Sequence, residues 1–153
     1  LATKHTRVSS EGPCDARQRW AVLERSGAAH FAAAPTAYRQ LAAAGADGVP
    51  QVFAKASSAG EPLDAATAQW FIDNTGVTIY DSYGLSELGM PIGNLRSRPD
   101  LVPVPGSMGF AFPGGDVELR DERNVAIEGP GRGRLAVKEH PYYLAKGYWG
   151  RMP

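Results

Sequence analysis

The order of strand-like and helical patterns in the middle of the chain limits its fold more than any other feature. A strand-like run at 52–54 leads into a polar loop at 57–62, a helical pattern covers 65–75, and the run 77–80 alternates apolar and polar residues. A helix between two strands favours a parallel pair, and loops beyond the carboxyl ends of such strands meet at one sheet edge. We therefore expect an α/β fold in which loops 57–62 and 81–87 share an edge.

Loop 81–87 collects hydroxyl groups, two carboxylates and one glycine where the second predicted strand ends. A phosphate or metal site needs such groups, and the glycine lets a ligand approach the backbone. A polar turn through which a strand leaves its sheet explains the same composition. The expected convergence with loop 57–62 favours a binding site over a plain turn.

Three helices are predicted on the core side of these strands. Asp15 and Asp64 are placed as N-caps, and glycines follow the last periodic residue of each pattern. The small-residue run 28–33 predicts a short buried strand, and its lone His30 is interpreted as a packing residue because nothing nearby completes a metal site. The first predicted helix follows Asp15 and ends at Gly27, the second begins at Pro35 and leads into a loop at 44–50, and the third covers residues 65–75.

The second half is rich in glycine and proline and predicts turns and short strands. Runs 116–120 and 134–138 alternate cleanly, which indicates a small antiparallel unit. Four aromatic residues near the end are interpreted as packing against a remainder of the domain or as a stacking surface. The predicted organisation is a poorly defined segment 1–14, a β-α-β portion 15–100 and a β-rich portion 101–153.

Composition excludes several classes of function. The 153 residues are enough for one domain, and 16 basic and 16 acidic side chains cancel. Without a basic excess, binding to nucleic acid or to an anionic membrane is not expected. There is no apolar run of about 20 residues, the length that spans a bilayer. Cys14 is the single cysteine, which excludes a disulfide framework and favours the cytoplasm.

Three motifs give the chain a resemblance to a known family. They occur in the order and spacing of the adenylate-forming acyl-CoA synthetases. The overall sequence, including residues 31–39 and 146–149, is most similar to the acetyl- and medium-chain acyl-CoA synthetase branch. The similarity runs from about residue 15 to the end. The motifs are Ser58-Ala59-Gly60-Glu61-Pro62-Leu63, Asp81-Ser82-Tyr83-Gly84-Leu85-Ser86-Glu87 and Pro105-Gly106-Ser107-Met108-Gly109.

The resemblance implies an AMP-forming acid–thiol ligase that uses ATP, Mg²⁺ and CoA. In this family a small-molecule carboxylate attacks the α-phosphate of ATP, which gives an acyl-adenylate and pyrophosphate, and the CoA thiol then displaces AMP. The resemblance also implies that these residues are part of the large N-terminal domain, and that the small C-terminal domain lies outside them. Attack on phosphorus builds charge on the phosphoryl oxygens, which a carboxylate-held Mg²⁺ and a hydroxyl donor stabilise.

The resemblance assigns the walls of the nucleotide site to two segments. One lies along the adenine, and the other closes the opposite side of the base with an aromatic ring. The first consists of Gly60, Glu61 and Pro62, and the second of Asp81, Ser82 and Tyr83, with Tyr83 as the stacking residue.

The same resemblance assigns the reacting groups to the end of the second motif. Ser86 meets the α-phosphate in place of the usual threonine, and Glu87 holds Mg²⁺, so both are candidate catalytic residues. Gly84 and Leu85 line the acyl pocket. Acetate-specific relatives carry a tryptophan at the position of Gly84, so an open volume there implies a short- to medium-chain acid longer than acetate.

Several family elements are not found within these residues. No phosphate loop followed by lysine precedes residue 57, and the ribose-binding aspartate and the catalytic lysine of the family would follow residue 153. We therefore expect the 153 residues alone to be inactive. Two alternatives remain open: an adenylation domain that loads a carrier protein, and a truncated, non-catalytic remnant.

Overall fold

The computed structural model describes residues 6–9, 15–98, 100–114, 116–137 and 144–150. It contains a five-stranded sheet in the order β1-β2-β3-β4-β5 and a two-stranded sheet of β6 and β7. The elements are α1 (Ala16–Ser26), β1 (His30–Ala33), α2 (Pro35–Ala44), β2 (Lys55–Ala59), α3 (Ala65–Thr75), β3 (Ile79–Leu85), β4 (Gly89–Gly93), β5 (Phe110–Ala111), β6 (Val117–Arg120) and β7 (Arg134–Val137).

The larger sheet is mixed. Strands β1, β2 and β3 are parallel, and a helix connects each consecutive pair. Strands β4 and β5 then add in antiparallel fashion beyond β3. This confirms the predicted α/β fold with its parallel β-α-β unit and its small antiparallel unit, which β6 and β7 form.

The strand boundaries differ from the prediction. The run 52–54 was predicted as a strand but is not one. The strand β2 begins after it, at Lys55, and extends to Ala59. Strand β3 does not end at residue 80 but continues to Leu85. Pairing explains the extension: β3 has β2 on one side and the unforeseen β4 on the other, so its backbone groups are satisfied on both edges.

Local capping determines where the helices begin and end. Asp15 Oδ1 accepts the Gln18 N–H at 2.8 Å, and Asp64 Oδ1 accepts the Thr67 N–H at 2.7 Å. The glycines after α1 and α3 adopt the left-handed conformation that closes a helix, with φ of 63° and 69°. All three predicted helices and both predicted N-caps are confirmed.

The helices cover one face of the sheet, and Phe71 of α3 lies at the centre of their contact. Its ring centroid is 5.3 Å from that of Tyr38 and 6.2 Å from that of Phe53. Burial raises the pKa of the Tyr38 hydroxyl, which donates to the carbonyls of Phe31 and Ser57. The core residues are Trp20, Leu23, Tyr38, Leu41, Phe53, Ala56, Leu63, Ala68, Phe71, Val77 and Ile79.

The first strand was expected to be buried, and this is wrong. Exposed and half-buried residues alternate along β1, and His30 is exposed, with Nε2 2.9 Å from Ser57 Oγ. His30 is therefore a hydrogen-bonded surface residue rather than part of the core. Cys14, Lys138, Tyr142 and Tyr143 lie outside the described residues.

In the part of the chain that the structure describes, no helix combines the length and the apolar character that a membrane span requires. The longest helices, α1 and α3, have 11 residues each.

Candidate active site

The carboxyl end of β2 lies beside the middle of β3 and brings the two predicted wall segments together. Ala59, the last residue of β2, pairs with Ser82 in β3, so residues 60–62 leave the sheet next to residues 81–83. Gly60 makes the turn with a φ of 101° and is exposed. The two segments are neighbours, as the β-α-β order predicted, although residues 81–85 belong to β3 and not to a loop.

Asp81 is the buried polar residue of this edge. It is 3% exposed, and its Oδ1 has no hydrogen-bond partner among the described residues. Burial raises the pKa of the Asp81 carboxyl, and the Ser58 hydroxyl and the backbone N–H groups of Ser82 and Leu63 act in the opposite direction. Asp81 also lines a small cavity between α3 and the segment 103–107.

Asn94 connects this edge to the third motif, and sequence reasoning missed it. Its backbone N–H donates to the Asp81 carbonyl at 3.0 Å, and its side-chain amide donates to the carbonyls of Asp81 and Ser107, each at 3.1 Å. A Cβ on Gly109 would lie 2.5 Å from the Gly93 carbonyl oxygen, so only glycine permits this approach. The motif 105–109 is thereby held against β3 and β4.

The residues assigned to the phosphates form the turn between β3 and β4. Ser86 is exposed at this turn, which a bond from Leu88 N–H to the Leu85 carbonyl closes at 3.1 Å. The Glu87 carboxylate accepts a hydrogen bond from the Tyr148 hydroxyl, which lowers the pKa of Glu87. The Glu87 carbonyl accepts the Ala145 N–H at 2.8 Å, so the segment 144–150 lies on this turn.

Glu61 differs from the other wall residues because its side chain contacts α2. Its carboxylate accepts the Thr36 N–H at 2.9 Å and the Arg39 guanidinium at 2.7 Å. The bonds from Thr36, together with the Arg39 charge, lower the pKa of Glu61. The Glu61 carboxylate therefore connects this loop to α2, while the loop backbone stays at the sheet edge.

The open volume expected beside Gly84 is absent, and that expectation is wrong. A Cβ at Gly84 would lie 2.7 Å from Met90 Cγ and closer still to the Gly89 carbonyl oxygen. The unforeseen strand β4 occupies this space, so Gly84 is required by strand packing. Leu85, the other predicted pocket residue, ends β3 and is 51% exposed.

Among the described residues, no group of three or more histidine, cysteine, aspartate or glutamate side chains has a metal-binding arrangement. A site that uses Glu87 for a metal would thus take its other ligands from phosphate oxygens and water. Magnesium is bound in this way in many nucleotide sites, through one or two carboxylates and the substrate phosphates. The Ser86–Glu87 turn, in which Ser86 is exposed and Glu87 half-buried, fits that mode.

Comparison with known proteins places this geometry in a family. The model of the AMP-binding enzyme family matches residues 5–149, and the chain belongs to that family. The chain is 34% identical over 136 residues to 4-hydroxybutyrate–CoA ligase 1 of Metallosphaera sedula, covering 88% of this chain and 24% of the relative.

Solved structures agree with this membership. An acyl-CoA synthetase of Brucella canis is 39% identical, with a TM-score of 0.73 over 83% of this chain and 24% of that protein. An anthranilate–CoA ligase in complex with anthranoyl-AMP is 28% identical, with a TM-score of 0.74 over 92% of this chain and 27% of that protein. The chain thus spans about a quarter of the length of these relatives.

Proposed function

We propose that this chain forms one wall of the ATP site of an AMP-forming acyl-CoA synthetase. The observation that carries the proposal is the meeting of residues 60–62 and 81–83 at one sheet edge, with the Ser86–Glu87 turn directly beyond β3. Membership of the AMP-binding enzyme family supports it. So does the anthranoyl-AMP bound to one structural neighbour, which is an acyl-adenylate.

The nucleotide base is proposed to lie between the two wall segments. Gly60 and Pro62 are exposed there, and Tyr83 is half-buried. The unpaired Oδ1 of Asp81 is an acceptor suited to a donor such as the amino group of adenine. A buried acceptor without a partner costs free energy, so a ligand that satisfies it would be favoured.

The reacting phosphates are proposed to lie over the β3–β4 turn. Exposed Ser86 would donate its hydroxyl to a phosphoryl oxygen, and Glu87 would hold the metal through its carboxylate. Magnesium ATP would supply the electrophilic phosphorus and the cation that stabilises developing charge. The Tyr148 hydroxyl orients the Glu87 carboxylate, and its bond to one oxygen leaves the other available.

The proposed substrate is a short- to medium-chain carboxylic acid, with CoA as acceptor. The four-carbon acid in the name of the Metallosphaera sedula relative supports this size, whereas Gly84 no longer does. Loading of a carrier protein is the second candidate, because both kinds of enzyme begin with the same adenylation. One structural neighbour, 20% identical and therefore informative on fold alone, contains adenylation and carrier domains.

Acid-dependent ATP–pyrophosphate exchange tests the proposal in the natural protein that contains this chain. The panel comprises acetate, butyrate, 4-hydroxybutyrate, octanoate and benzoate, each followed by thioester assays with CoA and with a holo carrier protein. We expect exchange to be fastest with a four- to eight-carbon acid and thioester formation with CoA. Exchange with none of the acids would support the non-catalytic remnant, and thioester formation only on the carrier would support the second candidate.

A further inference from the structure

Helix α2 begins without a side-chain cap of its own. Its N-cap residue is Ala34, which makes no side-chain hydrogen bond, and Pro35 occupies the first turn. The Thr36 N–H therefore needs an acceptor from elsewhere. Glu61 supplies it, accepting the N–H at 2.9 Å and the Thr36 hydroxyl at 2.5 Å. A carboxylate at this end of a helix is also favoured by the helix dipole.

Arg39, one turn further along α2, holds the same loop at three points. Its guanidinium lies 2.7 Å from Glu61 Oε2, 3.3 Å from the Pro62 carbonyl oxygen and 3.6 Å from Asp64 Oδ2. Arginine suits this arrangement because it presents several N–H donors in one rigid plane. The loop that follows β2 is thus fastened to α2 from the end of the strand to the cap of α3.

These contacts separate two tasks within the loop. The side chain of Glu61 is directed to α2, while the backbone at Gly60 stays exposed at the sheet edge. We propose that Arg39 and Glu61 are positioning residues that hold the backbone of residues 60–62 in the conformation that receives a nucleotide base. The inference rests on the proposed function for the ligand, and on the contacts alone for the anchoring.

A merely stabilising ion pair would act differently. The Arg39 and Glu61 side chains are 39% and 35% exposed, and ion pairs of that exposure contribute little to global stability. Their convergence on one short loop instead predicts an effect on local order. Removal of Arg39 should therefore loosen residues 60–63 without a matching fall in the melting temperature.

Hydrogen exchange of the 153-residue chain tests the anchoring without any ligand. In Arg39→Met we expect the amide of Leu63, which hydrogen-bonds the Asp81 carboxyl, to exchange at least about tenfold faster than in the wild type, because local opening becomes easier. Arg98→Met is the matched control, since Arg98 pairs only with nearby Asp100 in the described residues. Equal exchange at the loop in both variants would overturn the inference.

Conservative replacement separates positioning from folding. Arg39→Lys keeps a charge opposite Glu61 but loses the planar fork, so loop exchange should rise by about threefold, between wild type and Arg39→Met. If Arg39→Met fails to fold, this variant carries the test. Wild-type exchange rates in Arg39→Lys would then contradict the role of the guanidinium.

Steady-state kinetics of the natural protein that contains this chain test whether the anchoring of the loop affects ATP binding. We expect Arg39→Met to raise the KM for ATP about tenfold, which corresponds to about 1.4 kcal/mol, with kcat changed less than about threefold. Glu61→Gln should act in the same direction, and the double variant should be less than additive. A fall in kcat at unchanged KM would contradict positioning.

The two proposals fail separately. Absence of ATP–pyrophosphate exchange in the wild type would refute the proposed function, while the hydrogen-exchange result would still decide whether Arg39 anchors the loop. Wild-type activity together with equal KM values in Arg39→Met and Arg98→Met would refute the positioning role alone.

Discussion

Asp81 is a carboxylate buried at the candidate site, and burial raises its pKa. The folded state therefore holds the Asp81 proton more tightly than the unfolded state does. Its contribution to stability is fully present below the ordinary carboxyl pKa of about 3.9 and is lost as pH rises through the raised value. Ionisation of Asp81 thus costs the folded state stability as the pH rises, as expected of a binding-site residue.

Replacement of Asp81 by asparagine should remove this cost. We expect Asp81→Asn to raise the melting temperature at pH 7 and to flatten its pH dependence above about pH 4. Thermal unfolding followed by circular dichroism measures both effects, with Asp47→Asn as the exposed control. A melting temperature that falls at pH 7 in Asp81→Asn would show that the ionised carboxylate stabilises the fold.

Gly84 affects the stability of the fold through steric contact rather than through charge. Because β4 lies against it, Gly84→Trp should lower the free energy of unfolding by about 1–3 kcal/mol or more. Denaturant unfolding measures this, and Leu85→Trp at the neighbouring exposed position is the control. A Gly84→Trp protein with wild-type stability and a new preference for acetate would instead restore the interpretation of Gly84 as an acyl-pocket residue.

Among the elements, the β3–β4 pair and the 105–109 segment depend on Asn94. The buried Asn94 amide donates to the carbonyls of Asp81 and Ser107. In Asn94→Ala the Asp81 carbonyl keeps the backbone N–H of residue 94, whereas the bond to the Ser107 carbonyl is lost. We expect Asn94→Ala to cost about 1–2 kcal/mol of stability, from the lost bonds and the space left at a buried position.

Asn74→Ala is the matched control, because Asn74 is exposed and its side-chain amide donates only to the Trp70 carbonyl within α3 in the described residues. Urea unfolding of both variants gives the comparison. Equal destabilisation by the two substitutions would mean that the Asn94 bridge does not hold the third motif in place.

The helices were predictable because their signals are local, and only the end of α2 differs, by one residue, since Ala44 was expected in the following loop. Asp15, Asp64 and the following glycines act within one turn, so the sequence alone contains the information. The strand ends were not predictable, since β3 continues past residue 80 only because β4 pairs with it. A strand containing glycine and proline, such as Gly89–Gly93, has no local signal of its own.

The candidate site likewise has features that chain order predicts and features that depend on contacts between distant residues. Chain order was enough to predict that segments 57–62 and 81–87 lie together, because parallel strands share one carboxyl edge, but not that 57–59 and 81–85 belong to the strands themselves. The bonds from Arg39 to Glu61 and from Tyr148 to Glu87 join residues 22 and 61 positions apart. No spacing rule connects such pairs, so their roles emerge only from the fold.

At the scale of the whole molecule, the chain covers about a quarter of the relatives that it matches. One wall of a nucleotide site is then expected to position ATP without completing its activation. We predict no detectable ATP–pyrophosphate exchange by the purified 153-residue chain under conditions in which the natural protein that contains it is active. Exchange by the chain alone would show that these residues suffice for adenylation.

The most direct test of the proposed site is the substitution of Glu87 by glutamine in the natural protein that contains this chain. Glu87→Gln keeps the shape of the side chain and the Tyr148 contact but removes the charge proposed to hold magnesium. The control is Glu24→Gln, a change at an exposed glutamate of α1. Magnesium-dependent ATP–pyrophosphate exchange should fall about 100-fold in Glu87→Gln and stay at the wild-type rate in Glu24→Gln. Equal rates in both variants would contradict the assignment of this sheet edge as the magnesium–ATP site.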